Sequence, residues 1–139
     1  MRTLKLSQCD LTGKDVAAVA RAQSLGGLET LDLSGNQMGD EGFEALVTSR
    51  AMASLKSLKV DENQIGPAGI IAFANSSQCL HLASLSLNGN WIGDSSAELL
   101  ATSSSCGRLT QLSLDRCGIT EIGRQSLLRS PWLARVTDL

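Results

Sequence analysis

Aromatic residues are nearly absent from this sequence. Its 139 residues include two Trp, two Phe and no Tyr, so aromatics make up only 3% of the chain. Hydrophobic residues nevertheless account for 42%. The core must therefore be built from aliphatic side chains, and the length predicts a single domain.

A strong excess of charge of one sign is also lacking. Lys and Arg number 12 and Asp and Glu number 14, giving a formal net charge of −2. Because nucleic-acid binding needs a positive field that neutralises phosphates, the sequence disfavours a nucleic-acid partner. No apolar run reaches the roughly 18 residues that span a membrane, and the first residues lack the apolar segment of a secretory signal. A membrane partner is therefore not expected.

What the chain does contain is a strict 27-residue repeat. Leu31 and Leu33 alternate as in a strand, and a turn and a helical spacing follow them. Steps of one period from Leu31 reach Leu4, Leu58, Leu85, Leu112 and Leu139. One strand and one helix cannot bury their apolar faces alone, so the units must stack. Five repeats start at residues 1, 28, 55, 82 and 109, and a partial sixth starts at 136.

Each repeat is predicted to form one strand followed by one helix. The strands are expected at residues 3–7, 30–34, 57–61, 84–88 and 111–115, with a sixth beginning at 136–139; the helices are expected at 13–23, 40–49, 67–75, 94–103 and 121–129. Helical crossovers make neighbouring strands parallel. Because helices are about 10 Å wide and strands lie about 4.8 Å apart, the stack should curve with its sheet inside.

An amide side chain recurs in the turn after the strand. Asn36, Asn63 and Asn90 share this position, and Cys9 and Cys117 replace them in the first and fifth repeats. An amide can both donate and accept hydrogen bonds to a neighbouring backbone, so these asparagines are predicted to be structural. Further along each repeat, Asp40 and Asp94 should complement the positive end of their own helices, and glycines 42, 69 and 123 should let the helix approach the sheet.

The four cysteines lack the C-x-x-C spacing of structural zinc sites, so no metal or other cofactor is expected. Cys9, Cys79, Cys106 and Cys117 fall at repeat positions that bury apolar or amide groups elsewhere. They are predicted to be reduced, buried thiols of a cytoplasmic protein. A disulfide between Cys79 and Cys106, which lie one period apart, is the less favoured alternative.

These repeats resemble leucine-rich repeats of the ribonuclease-inhibitor type. Residues 28–42 and 82–94 carry the Leu-x-x-Leu-x-Leu-x-x-Asn pattern, and Cys9 with Thr12 and Cys117 with Thr120 match its Cys-bearing variant. The resemblance implies an α/β fold: a right-handed, curved leucine-rich-repeat solenoid with a concave parallel β-sheet and convex outer α-helices. Residues 1–139 should form a single leucine-rich-repeat domain and an excerpt of a longer array, because no polar capping repeat is present. Uncapped ends would then permit self-association.

The resemblance implies little about function, because the family includes enzyme inhibitors, sensing segments of NOD-like receptors and Ran GTPase-activating proteins. No catalytic constellation converges on the repeat, and the single histidine, His81, falls at a polar position that should be exposed. The expected function is a non-enzymatic protein–protein interaction scaffold. The alternatives are a GTPase-activating accessory protein, with Arg116 as its working residue, and a ligand-sensing segment of a NOD-like receptor type protein.

Side chains that face outward from the strands, or follow them directly, are the candidate contacts for a protein partner. Trp91 stands out because the equivalent positions in other repeats are polar or small, so it is predicted either to anchor a partner or to fold over the adjoining turn. Trp132 is expected to pack against the sixth repeat. The candidate residues are Lys5, Asp32, Lys59, Asp61, Glu62, Ser86, Asn88, Trp91, Ser113, Asp115 and Arg116.

Overall fold

The protein is a stack of five strand–helix units, here called coils. In a computed structural model that describes residues 2–137 and 139, five parallel strands pair in sequence order. The strands are β1 (Thr3–Lys5), β2 (Thr30–Asp32), β3 (Ser57–Lys59), β4 (Ser84–Ser86) and β5 (Gln111–Ser113). The helices are α1 (Gly13–Ala20), α2 (Gly39–Val47), α3 (Pro67–Asn75), α4 (Gly93–Thr102) and α5 (Glu121–Leu128). This architecture confirms the predicted α/β leucine-rich-repeat solenoid.

The strands are shorter than the sequence predicted. Each has three residues, although the hydrogen-bond ladder runs one step further, as where the Leu33 N–H donates to the Lys59 carbonyl at 2.9 Å. The backbone then bends into the turn. The predicted sixth strand is wrong for its described residues, because Val136, Thr137 and Leu139 lie outside any strand. The Val136 N–H instead donates back to Leu133 at 3.0 Å, and Asp138 lies outside the described residues.

The core lies between the sheet and the helices and is mainly aliphatic. Leu31, Leu58 and Leu85 pair in register across neighbouring strands, and each is at most 1% exposed. The two phenylalanines are its aromatic members: Phe43 of α2 and Phe73 of α3 stack with ring centroids 6.4 Å apart. Because helices of successive coils pack side by side, each coil's apolar surface is covered by the next coil.

Buried asparagines join the turns of successive coils. The Asn90 side-chain oxygen accepts from the N–H groups of Asn63 and Ile65, both at 3.0 Å. Its amide nitrogen donates to the carbonyls of Val60 at 3.0 Å and Leu87 at 2.8 Å. Asn36 and Asn63 bridge their own pairs of turns in the same manner. The predicted structural role of these residues is confirmed.

The cysteines differ in exposure. Cys79, Cys106 and Cys117 are buried as predicted, and burial raises the pKa of the Cys79 and Cys106 thiols to about 12. All four described cysteines are free thiols. Cys9, however, is exposed, and the prediction that it is buried is wrong. It lies in the turn of the first coil, which has a neighbouring coil on one side only within the described residues.

Two turn conformations alternate along the stack. Every coil has a positive φ at the third position after its strand, at Gln8, Gly35, Glu62, Gly89 and Arg116. A second positive φ falls at Asp10, Gln64 and Gly118 in the odd coils, and at Gly39 and Gly93 in the even coils. The sequence pattern thus repeats in every coil, whereas the backbone conformation of the turn repeats in every second coil.

A ladder of serines runs along the side of the stack where the helices end. Each serine hydroxyl donates to a backbone carbonyl of the preceding coil and accepts from the N–H two residues further on. The donor–acceptor pairs are Ser49 with Ala20, Ser76 with Val47, Ser103 with Ala74 and Ser130 with Ala101. The signal for this ladder is present in the sequence as a serine at steps of 27 residues from Ser49 to Ser130, with Ala22 at the equivalent position of the first repeat.

Replacing one of these serines should destabilise the stack. In Ser76→Ala the Val47 carbonyl and the Gln78 N–H both lose a partner at a site that is 8% exposed. We expect the free energy of unfolding, measured by urea denaturation, to fall by about 1–3 kcal/mol. The matched control is Ser77→Ala at the exposed neighbouring position, which should change it by less than about 0.5 kcal/mol. Equal losses in both variants would contradict the ladder's role.

Alkylation should separate the cysteines by exposure. Iodoacetamide reacts with thiolates, so at about pH 8 it should modify Cys9 of the folded protein and leave Cys79, Cys106 and Cys117 intact. Intact-mass spectrometry is expected to show one adduct before denaturation and four after it. In Cys9→Ser the folded protein should gain none; an adduct there would contradict the burial of the other three thiols.

Candidate functional site

The candidate residues fall into two neighbouring groups. The concave row consists of outward residues of consecutive strands in register: Lys5, Asp32, Lys59, Ser86 and Ser113. The carboxyl edge consists of residues in the turns that follow the strands: Asp61, Glu62, Asn88, Trp91, Asp115 and Arg116. Because the strands are parallel, all of these turns lie on the same edge of the sheet.

The concave row begins with charges of alternating sign. Lys5 pairs with Asp32 and Asp32 with Lys59 in the strand register. The Asp32 carboxylate accepts a hydrogen bond from the Ser34 N–H at 3.0 Å, and neither lysine has a carboxylate within ion-pair distance among the described residues. Both ammonium groups are therefore available to a partner.

A hydrogen-bonded network fixes the turns where the row meets the carboxyl edge. The Asp61 carboxylate accepts from the Ser86 hydroxyl at 2.5 Å and from the Asn88 N–H at 2.9 Å. The Asn88 side chain accepts from the Asp115 N–H at 2.8 Å. Ser86, predicted as an exposed contact, is only 8% exposed because its hydroxyl is turned towards Asp61. The prediction that Ser86 is exposed is therefore wrong: its hydroxyl group holds the Asp61 carboxylate in place and is not available to a partner.

Trp91 projects from the carboxyl edge and is 77% exposed. One edge of its ring lies over Gly118 in the next coil, where a Cβ atom would come within 2.5 Å of the ring carbons Cε3 and Cζ3. Gly118 also has a φ of +69°, which other residues rarely adopt. The indole therefore contacts the adjoining turn, as one of the two predictions for Trp91 had it, while most of its surface remains exposed. The other, that Trp91 anchors a partner, stays a prediction.

Trp132 contacts the preceding coil. Its ring lies over Gly107 of the fourth coil, with the ring carbon Cε3 at 3.3 Å from where a Cβ on that glycine would be. Gly107, which has no side chain, leaves room for the indole. The predicted packing against a sixth coil stays a prediction.

An ion pair crosses three coils at the carboxyl edge. The Arg116 guanidinium lies 3.1 Å from the Glu62 carboxylate, two coils away. The Glu62 side chain passes over Gly89, where a Cβ would lie 2.8 Å from its Cγ. Both side chains are more than half exposed, so the pair contributes less than about 1 kcal/mol and mainly positions its charges. Arg116, which the GTPase-activating alternative names as the working residue, thus forms an ion pair with Glu62 within the domain.

Acidic residues at the starts of the even helices bind the helices of the following coils. The Asp94 carboxylate accepts from the Thr120 hydroxyl and N–H, each at 2.7 Å, and from the Gly123 N–H at 3.1 Å. Asp40 accepts from Gly66 and Gly69 of the third coil in the same way. The prediction that these acids serve their own helices is incomplete, because their hydrogen bonds go to the next helix.

Glycine makes this contact possible. A Cβ on Gly69 would lie 2.8 Å from the Asp40 carboxylate, and one on Gly123 would overlap the Asp94 carboxylate. A Cβ on Gly42 would meet atoms of Met38 and of Gly13 in the first coil. The predicted approach of these helices to the sheet is therefore wrong: the glycines let each helix approach the neighbouring coil.

Within the described residues, neither a metal-binding cluster nor a membrane-spanning helix is found. No three His, Cys, Asp or Glu side chains come together as a possible metal site within residues 2–137 and 139. His81 is exposed, as expected, and its Nδ1 lies 3.3 Å from the Arg108 guanidinium. None of the helices described is long and apolar enough to cross a bilayer.

The repeat register, the parallel sheet and the asparagine ladder define a leucine-rich-repeat protein of the ribonuclease-inhibitor-like type. Residues 1–120 match the family model of the PRAME C-terminal domain, and the chain belongs to that family.

A solved structure described as "Leiomodin-1 Actin-Binding Site 2 (ABS2)" has the same fold, with a TM-score of 0.71 and 16% sequence identity over 97% of this chain and 80% of that chain. No curated protein matches the sequence.

The contact between Asp94 and α5 should make stability depend on pH. Its hydrogen bonds from the Thr120 hydroxyl, then from the Thr120 N–H, lower the pKa of Asp94 in the folded state. A lowered folded pKa stabilises the protein above the unfolded value of about 4, and this is lost as pH falls through the folded pKa. Asp94→Asn removes the charge. We expect its deficit in unfolding free energy to be largest near neutral pH and to shrink below about pH 4.

Guanidinium or urea denaturation at several pH values would measure this difference. Asp10→Asn is the matched control, because the exposed Asp10 carboxylate makes no hydrogen bond or ion pair within the part of the chain that the structure describes. Replacing this carboxylate should change the free energy of unfolding at neutral pH by less than about 0.5 kcal/mol. A deficit of Asp94→Asn that stays constant across the range would contradict the capping argument.

Proposed function

We propose that this domain is a non-enzymatic protein-interaction scaffold whose partner binds across the carboxyl edge and the concave row. The observation that carries the proposal is Trp91, a tryptophan that is 77% exposed and supported by Gly118 of the next coil. Tryptophan is enriched among interface residues that dominate binding energy, because its large apolar surface can be buried against a partner. Support from the adjacent turn also reduces the ordering that binding requires.

The charges around Trp91 fit a polar protein surface better than a small apolar ligand. Trp91 contacts Gly118, two residues after Arg116, and Glu62 crosses Gly89, two residues before Trp91. The indole therefore lies close to an exposed pair of opposite charges. A rim of this kind selects among partners and guides their approach more than it adds affinity. The partner should therefore present a hydrophobic hollow bordered by charges of both signs.

The known relatives support this interpretation at a general level. The chain is a member of the PRAME C-terminal domain family, and the leiomodin structure of the same fold is described as an actin-binding site. An open solenoid sheet provides a rigid surface suited to protein binding. At 16% identity the leiomodin likeness concerns the fold and not the partner. We also propose a cytoplasmic location, in keeping with the buried free thiols.

The proposal can be tested by affinity purification with quantitative mass spectrometry. Immobilised wild-type domain, Trp91→Ala and Ile71→Ala would be compared as baits. Ile71 is the matched control, because it is an exposed apolar residue of α3 that lies outside the carboxyl edge. Loss of a dominant interface residue should reduce retention of the specific partner by about tenfold or more in Trp91→Ala and leave Ile71→Ala close to wild type.

A second variant tests the support of the indole separately from the indole itself. Gly118→Ala keeps Trp91 but places a methyl group where the ring lies. Retention of the same partner should fall to a value between those of wild type and Trp91→Ala. Proteins retained equally by wild type and Trp91→Ala would remove the carboxyl edge from the proposed interface.

A further inference from the structure

The opposite edge of the sheet carries a groove of a different character. This amino edge is formed by residues that precede the strands, and it contains an open groove of about 1010 Å³. Small residues such as Ala83 and Gly107 form part of its lining, and the longer side chains include Lys56, Arg108 and Arg135. Small residues between long cationic side chains leave room for the main chain of an extended peptide.

The repeat places three basic residues in order along the groove. His81, Arg108 and Arg135 occupy the same position of three consecutive repeats, so they follow one another along the stack. Neighbouring strands are about 4.8 Å apart, which sets the scale of the spacing near the sheet. The scattered basic residues of the sequence are thus brought into one line by the stacking.

Negative charge in the groove is confined to one end. Glu29 is the only carboxylate among the lining residues of the groove, and it lies 3.1 Å from the Lys56 ammonium and 3.9 Å from the Arg2 guanidinium. Arg108 and Arg135 have no carboxylate within ion-pair distance in residues 2–137 and 139. Two guanidinium groups at the far end therefore lack a carboxylate partner among the residues that the structure describes.

The contact between Arg108 and His81 adds no negative charge. The Arg108 guanidinium lies 3.3 Å from the His81 Nδ1 atom. An imidazole supplies no negative charge, so this contact links Arg108 to the preceding coil and leaves its positive charge uncompensated. The carboxyl edge differs in sign, since Asp61, Glu62 and Asp115 follow its strands.

We propose that the amino-edge groove is a second docking surface, which binds an acidic, extended segment of a protein partner independently of the carboxyl edge. Charge complementarity supports this occupant: its carboxylates would meet Lys56, Arg108 and Arg135 along a groove with one carboxylate of its own. A nucleic acid fits less well, because the domain's net charge of −2 and its acidic opposite edge oppose a long polyanion.

Fluorescence anisotropy with fluorescein-labelled octaglutamate would test the proposal on the whole chain. We expect saturable binding at low ionic strength that weakens as salt is added. Lys56→Glu/Arg108→Glu reverses two lining charges and should weaken binding by about tenfold or more. Lys14→Glu/Arg124→Glu makes the same change in net charge on helices α1 and α5 and should weaken it by less than about threefold. Trp91→Ala should bind like wild type.

The reversed variant also provides a positive readout that requires a folded groove. Lys56→Glu/Arg108→Glu is expected to bind fluorescein-labelled octalysine, which the wild-type protein should not bind at this edge. Absence of octaglutamate binding would overturn the proposal. So would equal losses in the groove variant and the control variant, or tighter binding of a thymidine octanucleotide than of octaglutamate.

Discussion

Hydrogen bonds between neighbouring coils are the constraint on which this structure depends. A turn that follows a buried strand leaves backbone N–H and carbonyl groups unpaired, and each buried unpaired group costs about 1–3 kcal/mol. Asn63 and Asn90 satisfy these groups on the turn side, Ser76 and Ser103 satisfy carbonyls where the helices end, and Asp94 caps the helix of the next coil. Each coil thus completes its neighbour, which is why one coil alone would not be stable.

The alternation of turn conformations decides where the distinctive surface residues lie. In the odd coils the residue that follows the Asn or Cys of the turn adopts a positive φ, as Gly118 does, whereas Trp91 at the same position of an even coil does not. An indole at this even position can therefore lie over the glycine of the following odd coil. Asp40 and Asp94 obey the same rule, since both stand in even coils and cap odd helices. The exposed tryptophan and the capping acids thus lie on the same two-coil alternation as the turn conformations.

Stacking also converts a nearly neutral composition into two differently charged edges. Glu62 and Asp115 follow the strands, whereas Lys56 and Arg108 precede them, so opposite edges of one rigid sheet differ in sign. In a solenoid the two edges are separated by the length of a strand and cannot collapse onto each other. Such a domain can hold two different polar surfaces at a fixed spacing, which is a property suited to a scaffold.

The sequence by itself determined the fold, because the repeat period fixes which leucines of consecutive coils meet and which asparagines follow the strands. It also determined the outward positions of the concave row, since strand residues alternate between faces. Only the tertiary structure decided which of these residues remain available: Ser86 is turned to Asp61, Arg116 is paired with Glu62, and the indole of Trp91 finds its support in another coil. These outcomes depend on contacts between residues about 25 to 54 positions apart, which repeat periodicity places in nearby coils without specifying their side-chain geometry.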